Sequence, residues 1–524
     1  MLSTKTQLSL YVLLVCVLFL GLLTLQDRPT QQYPHISSTN TDRVQIDFLW
    51  QAEISAKACK DKLTLLDEVV MADCPDCQIN TQVCLAELNP IQKSWLGNDL
   101  VDLPTVRLSN GVIAFQALDL EQASKACKNI QSLQVAYNQQ LTCTPSHARR
   151  ALNSSNDHGY WVNLIEIIML IITTGFASWF ICYLILRYEN MHAHFSHDHI
   201  NAGIQKFHAQ PTPRIAGIAL LASLLVTLVI EWILHNANTS SSLAMTYFVL
   251  ACLPVFFGGF IEDITKNVGV AQRLLFSMLT ALMAIWLMGA LINRTDIMAL
   301  DSLLTLTPVA VAITVLGIAG VCNAMNIIDG YNGLSAGYAA IALSAISCIA
   351  FQVNDHLVLS LSLGLMGGLL GFLCWNWPHG KIFMGDGGAY LVGFSLAELA
   401  ILLVYRNPSV SPWFTSIILV YPIFETIFSM FRRKVIAKTR TGQPDAGHFH
   451  QLIFFKILHG QKYTDVKKLT WANSRVALFI WIPAALVSIV ATLFWQSTAV
   501  LMPLTLGGCV VYVLLYYSLA RRPD

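Results

Sequence analysis

The sequence predicts an all-α polytopic membrane protein, with a core of about 11 transmembrane helices, an N-terminal anchor helix, and between them a small soluble α/β-like extracytoplasmic domain. Three observations point there. Of 524 residues, 55% are hydrophobic and only 12% charged, with a mean hydropathy of +0.56, which excludes an ordinary soluble enzyme. Apolar runs long enough to cross ~30 Å of hydrocarbon recur from residue 162 to the C-terminal end. Residues 27–158, by contrast, are polar and contain six cysteines.

Residues 1–26 form a short charged start and an apolar run at 8–25. No convincing small-x-small cleavage site follows Leu25, so an uncleaved anchor is favoured over a signal peptide. Residues 27–158 are numerous enough to fold alone. Thr105–Leu108 and Val112–Phe115 flank Asn110-Gly111 as the strands of a hairpin would. Cys59, Cys74, Cys77, Cys84, Cys127 and Cys143 read as disulfides in a domain outside the cytoplasm, while Cys74-Pro75-Asp76-Cys77 also has redox or zinc-site spacing.

The core, 159–524, is expected to span near 162–186, 215–234, 243–261, 272–292, 303–322, 335–353, 357–375, 388–405, 413–430, 476–495 and 499–519. If Lys5 is cytoplasmic, alternation places Arg187, Lys206, Lys266, Arg273, Lys381, Arg432-Arg433-Lys434 and Arg521-Arg522 on that side. The opposite short loops hold little more than Arg294 and Arg406, as the positive-inside rule requires, although the formal net charge is only +1. Cys182, Cys252 and Cys322 are expected to be small packing residues. Glu166, Glu231, Glu398 and Glu425 are the few acids in or near spans, expected to pair with bundle neighbours or sit near interfaces, with Glu425 in reach of a cytoplasmic site.

On this orientation the polar islands all face the cytoplasm. Pro211-Thr212-Pro213-Arg214 stiffens a loop entering the third span, with Arg214 able to snorkel to the interface and Gly217 allowing close approach; alone it is an ordinary basic membrane-boundary loop. Glu262-Asp263 ends the fourth span, and Lys266 follows Asp263 by three residues on one helical face, where two acids at a lipid boundary are costly without a site to serve. Asn323, Asn326 and Asp329 recur every three residues, and Gly330 and Gly333 offer backbone amides to a phosphate. Asp386 lies among glycines in Met384-Gly385-Asp386-Gly387-Gly388, unremarkable as a tight turn but a metal ligand beside the other islands. His448-Phe449-His450-Gln451 closes the set. Carboxylates and amides suit a hard divalent ion, and His and Lys suit phosphate oxygens, so together they read as a metal-assisted phosphoryl-transfer site.

P-T-P-R-x-x-G, the acid pair followed by Lys, N-A-x-N-x-x-D-G-x-x-G-L, G-D-x-G and H-x-H together resemble the polyprenyl-phosphate N-acetylhexosamine-1-phosphate transferases, glycosyltransferase family 4. The motifs cover about 187–455. The resemblance implies Mg²⁺, with Mn²⁺ as an alternative, on Asn326 and Asp386; catalytic roles for Glu262 and Asp263, activating or orienting the lipid phosphate, and for Lys266 on phosphate; and donor binding by Arg214, Asp329, Asn332, His448 and His450. It implies transfer of an N-acetylated sugar 1-phosphate from a UDP-sugar to polyprenyl (undecaprenyl) phosphate, releasing UMP and initiating a cell-surface glycan such as O-antigen lipopolysaccharide. The setting would be a multi-pass inner (plasma) membrane protein that binds no nucleic acid and is compatible with a homodimer. Two departures matter. Glu262-Asp263 stands where the family usually has Asp-Asp, and His448-Phe449-His450-Gln451 replaces the three consecutive histidines of the peptidoglycan translocase, pointing to the GlcNAc and O-antigen branch.

A transporter would instead place ionisable residues in mid-span and show internal repeats. A membrane sensor would account for 27–158 but not for the islands.

Overall fold

The computed structural model describes residues 156–198, 211–235, 240–436, 438, 447–463 and 465–522, together with four strands nearer the N-terminus. The expected anchor at 1–26 lies outside the described residues. The strands are β1 (Val44–Trp50), β2 (Gln78–Ile79), β3 (Gly111–Ala117) and β4 (Leu141–His147). They form an antiparallel sheet in the order β2-β3-β1-β4, within a compact unit of residues 27–161. The expected strand at 112–115 lies in β3; its proposed hairpin partner at 105–108 falls outside the described residues. So do the side chains of all six cysteines of this unit.

The second unit is helical. In chain order it contains α1 (Asn156–Arg187), α2 (Glu189–Ser196), α3 (Gly217–His235), α4 (Ser240–Thr265), α5 (Val270–Met288), α6 (Met298–Leu304), α7 (Thr307–Ile328), α8 (Leu334–Gln352), α9 (His356–Asn376) and α10 (Gly385–Arg406). It continues with α11 (Pro412–Ile418), α12 (Val420–Phe431), α13 (Phe449–Leu452), α14 (Val466–Leu493) and α15 (Thr498–Ala520). Among the described residues ten helices are long and apolar enough to cross a membrane, or eleven if α11 and α12, bent by 69°, count as one broken span. This unit makes the chain a polytopic membrane protein whose membrane part is all-α.

The helices are layered by composition. In α8, 94% of the apolar window is buried inside the protein, whereas in α15 it is 17%, so α8 sits at the centre and α15 at the rim. Small residues, Ala, Ser, Gly and Cys, make up more than half of α8 and let its neighbours approach closely, as they do where helices pack in a bilayer. The cysteines expected to pack do so: Cys182, Cys252 and Cys322 are buried free thiols.

Several boundaries differ from the sequence reading. The expected span at 476–495 begins ten residues sooner, because the Asp465 side chain caps α14 through the Lys468 amide and the first turns project a basic, membrane-boundary segment. The expected span at 413–430 is broken at Leu419, where the Ile418 carbonyl freed by the break is taken by the Tyr338 hydroxyl at 2.7 Å. Glu398 was expected to pair within the bundle. It is buried in α10, and neither of its oxygens is hydrogen-bonded.

Candidate active site

Asp386 occupies the first turn of α10, and four other segments converge on it. Its Oδ1 accepts from Arg214 Nη2 at 2.9 Å and from Asn326 Nδ2 at 3.1 Å, and Oδ2 is ion-paired with Arg273. Arg214 comes from the turn before α3, Asn326 from the last turn of α7 and Arg273 from the start of α5. From the end of α4, Asp263 accepts the Asp386 amide on Oδ1 at 2.8 Å and the Gly387 amide on Oδ2 at 2.9 Å. Those amides are among the first of α10 and have no partner within the helix, so a carboxylate there satisfies two donors and the helix dipole at once.

Glycine makes this approach available. A Cβ on Gly217 would lie 2.5 Å from the Gly388 nitrogen, so α3 and α10 meet backbone to backbone. Gly385 has φ +75°, and a Cβ there would sit 2.1 Å from the Arg214 carbonyl oxygen.

A cavity of about 380 Å³ opens beside Asp386, within the range of small-molecule sites. Glu262, Arg273, Asn326, Asp329 and Asp386 line it together with His448, His450 and Gln451. Burial pushes the Asp329 carboxyl well above its usual range; Arg214 opposes this, while Asp386 and Asp263 add to it. The two histidine rings stack in parallel, 5.3 Å between centroids. His448 Nδ1 lies 2.9 Å from Glu425 Oε1, and His450 Nδ1 lies 3.2 Å from the Tyr421 hydroxyl.

The expected site residues fall into three groups. Glu262, Asn326, Asp329, Asn332, Asp386, His448, His450 and Arg214 all line the cavity. Arg214 does not snorkel outward, because Asp386 and Asp263, 3.6 Å from its Nη2, hold it inward. Asp263 does not line the cavity; it is 1% exposed and fastens α10 from behind. Lys266 is not on a shared helical face with Asp263. The helix ends at Thr265, Lys266 turns to φ +57°, and its exposed side chain bonds back to the Asp263 carbonyl at 2.5 Å. Asn323 does not line the cavity either. The Gly333 amide is not offered to a ligand, since it donates to Asn376 Oδ1 at 2.6 Å.

Arg273, Asn376 and Asn473 also line the cavity and were not read as site residues in the sequence, and Gln451 lines it from within the histidine island. Asn376 and Asn473 brace the 330–333 turn, the latter by accepting the Asn332 amide at 2.8 Å. A charge three residues inside an apolar span is the signal that marks Arg273.

The family model for glycosyl transferase family 4 matches residues 245–404. A probable undecaprenyl-phosphate N-acetylglucosaminyl 1-phosphate transferase of Bacillus subtilis (strain 168) is 31% identical over 257 residues, 49% of this chain and 69% of that relative. The chain belongs to glycosyl transferase family 4. This family-4 chain is also 27% identical over 253 residues to an undecaprenyl-phosphate alpha-N-acetylglucosaminyl 1-phosphate transferase of Thermotoga maritima, 48% of this chain and 72% of that relative. A phospho-N-acetylmuramoyl-pentapeptide-transferase of Leuconostoc citreum (strain KM20) is 33% identical over 180 residues, 34% of this chain and 49% of that relative. The match spans about half of the Leuconostoc relative's length and more than two thirds of the other two. The resemblance read from five motifs is borne out, and the matched residues include the acid pair, Arg273, Asn326 and Asp386.

Proposed function

We propose that this family-4 transferase moves an N-acetylated sugar 1-phosphate from a UDP-sugar to undecaprenyl phosphate, giving undecaprenyl-diphosphate-sugar and UMP, at the cytoplasmic face of the plasma membrane. The observation that carries this reading is one cavity lined both by oxygen donors, Asp386, Asn326, Asp329 and Glu262, and by the stacked His448 and His450 as anion-binding groups. The names of the Bacillus subtilis and Thermotoga maritima relatives support undecaprenyl phosphate as acceptor and N-acetylglucosamine 1-phosphate as the transferred group.

The donor set fits Mg²⁺ or Mn²⁺. Among the described residues no three His, Cys, Asp or Glu side chains form a ready metal cage. Such a site suits an ion that takes one or two carboxylates and completes its shell with water and substrate phosphates. Asp386 and the Asn326 amide oxygen would hold it. When bound, the ion supplies charge neutralisation to the donor diphosphate.

The chain's own residues do the rest. Asp263 fixes the first turn of α10 and with it the Asp386 carboxylate; Arg214 and Arg273 counter the acidic charge that an anionic substrate meets on arrival. His448 and His450 hold diphosphate oxygens, and Glu262 orients the lipid phosphate. That phosphate, with a second pKa near ~6, is largely dianionic at neutral pH, so in-line attack needs no strong base. Residues 27–158 carry none of the proposed site residues and act as an extracytoplasmic accessory.

The test is to incubate the purified chain with undecaprenyl phosphate, Mg²⁺ and a panel of UDP-N-acetylsugars, and to follow UMP release and lipid-linked product. UMP formation dependent on both lipid and ion, with one sugar preferred, is expected. Absence of UMP with every sugar, from protein that remains folded, would overturn the reading.

A further inference from the structure

Behind the histidine pair lies a buried polar cluster. Glu425, on α12, is 1% exposed, and both of its oxygens are engaged. Oε1 accepts from His448 Nδ1 at 2.9 Å, Oε2 accepts from the Tyr512 hydroxyl of α15 at 2.6 Å, and the Phe449 amide lies 3.3 Å from each. Tyr421, one turn before Glu425 on the same helix, meets His450 Nδ1. One face of α12 therefore backs both rings, and the last span closes the cluster through Tyr512.

We infer that Glu425 is a positioning residue for anion binding at the cavity, fixing the His448 ring so that its Nε2 meets a diphosphate oxygen. The inference rests on the phosphate-transfer reading above. A carboxylate on Nδ1 keeps the proton there and directs Nε2, at the opposite edge of the ring, away from the carboxylate. With a proton also on Nε2, the ring donates to a phosphate oxygen from that edge. Tyr512 and the Phe449 amide keep Glu425 from rotating toward either partner alone. A Gln at 425 retains the size and one acceptor oxygen, but loses the charge and presents an NH₂ where a donor already points.

The experiment is a double-mutant cycle on the full chain, read by calorimetric titration with UDP in Mg²⁺ and accompanied by thermal midpoints. Glu425→Gln should weaken UDP binding about tenfold or more, the scale of one charge-assisted hydrogen bond. His448→Gln should weaken it at least as much, and the double variant should bind no worse than His448→Gln alone. A purely structural Glu425 would instead add its loss in either background. If Glu425→Gln does not accumulate folded, Tyr512→Phe takes its place in the same cycle, with a smaller loss that also vanishes beside His448→Gln. UDP affinity unchanged in Glu425→Gln, or a loss that persists in the His448→Gln background, overturns the positioning role and leaves the transferase reading standing. Failure of the unaltered chain to bind UDP overturns both.

Discussion

Replacing Asp263 by Asn separates a fastening role from a purely chemical one. Its carboxylate receives two α10 amides, each a hydrogen bond to a charged group worth about 1.5–3 kcal/mol. Asn keeps one acceptor oxygen and turns an NH₂ toward the other amide, so one bond is lost and one buried donor is left unmet. Relief of the charge beside Asp386 offsets part of that loss, and the Arg214 contact at 3.6 Å disappears. A net loss of about 3 kcal/mol corresponds to somewhat more than a hundredfold shift in a local opening equilibrium. Hydrogen exchange of a peptide covering 383–390 should accelerate by that order, while peptides from α8 stay protected. Turnover should fall about a hundredfold as well, since Asp386 is then no longer held to within an ångström. Exchange at 383–390 unchanged, with turnover abolished, would refute the fastening role and return Asp263 to the chemistry.

Asp386→Asn and Asn326→Ala should each lower turnover by orders of magnitude with the protein still folded in the membrane; near-normal rates at saturating Mg²⁺ would remove them from the ion site. Arg273→Ala deletes one charge-assisted bond to Asp386 and should lower kcat/KM by about 10–100-fold, with Arg273→Lys recovering part of it; a change under twofold for Arg273→Ala would make the pair incidental. A membrane-impermeant thiol reagent applied to intact cells should reach the cysteines of 27–158 only after reduction. Ready labelling without reduction would remove the disulfides, and labelling only from the cytoplasm would reverse the orientation.

The spans and the convergence of the islands were legible because each rests on chain-local signals: apolar length, alternation, and polar residues at span ends. Asp386, Asn326 and His448 carried such signals in their own neighbourhoods. Lys266 misled because a residue three positions on shares a helical face only while the helix lasts, and it ends at Thr265. Asp263 was assigned to substrate because nothing local says that its oxygens meet amides more than a hundred residues away. Asn376 and Asn473 were invisible for a similar reason: asparagines at span ends are ordinary, and only packing brings both to the 330–333 turn. Glu425 could be flagged as a costly charge within a broken span, but its Tyr512 and His448 partners could not.

The direct partners of Asp386 lie before it in the chain: Arg214, Asp263, Arg273 and Asn326. Protein synthesis runs from the N-terminus at about 5–20 residues per second, so the acidic centre can close as soon as α10 enters the bilayer. His448, Asn473 and Tyr512 are still unmade at that moment. Biogenesis thus assembles the cavity in two instalments, the acidic centre around Asp386 first and the histidine wall afterwards. A ribosome that stalls between the two leaves a chain gathered around Asp386 with α13, α14 and α15 still to come, so the cavity has no histidine wall until those last segments are made.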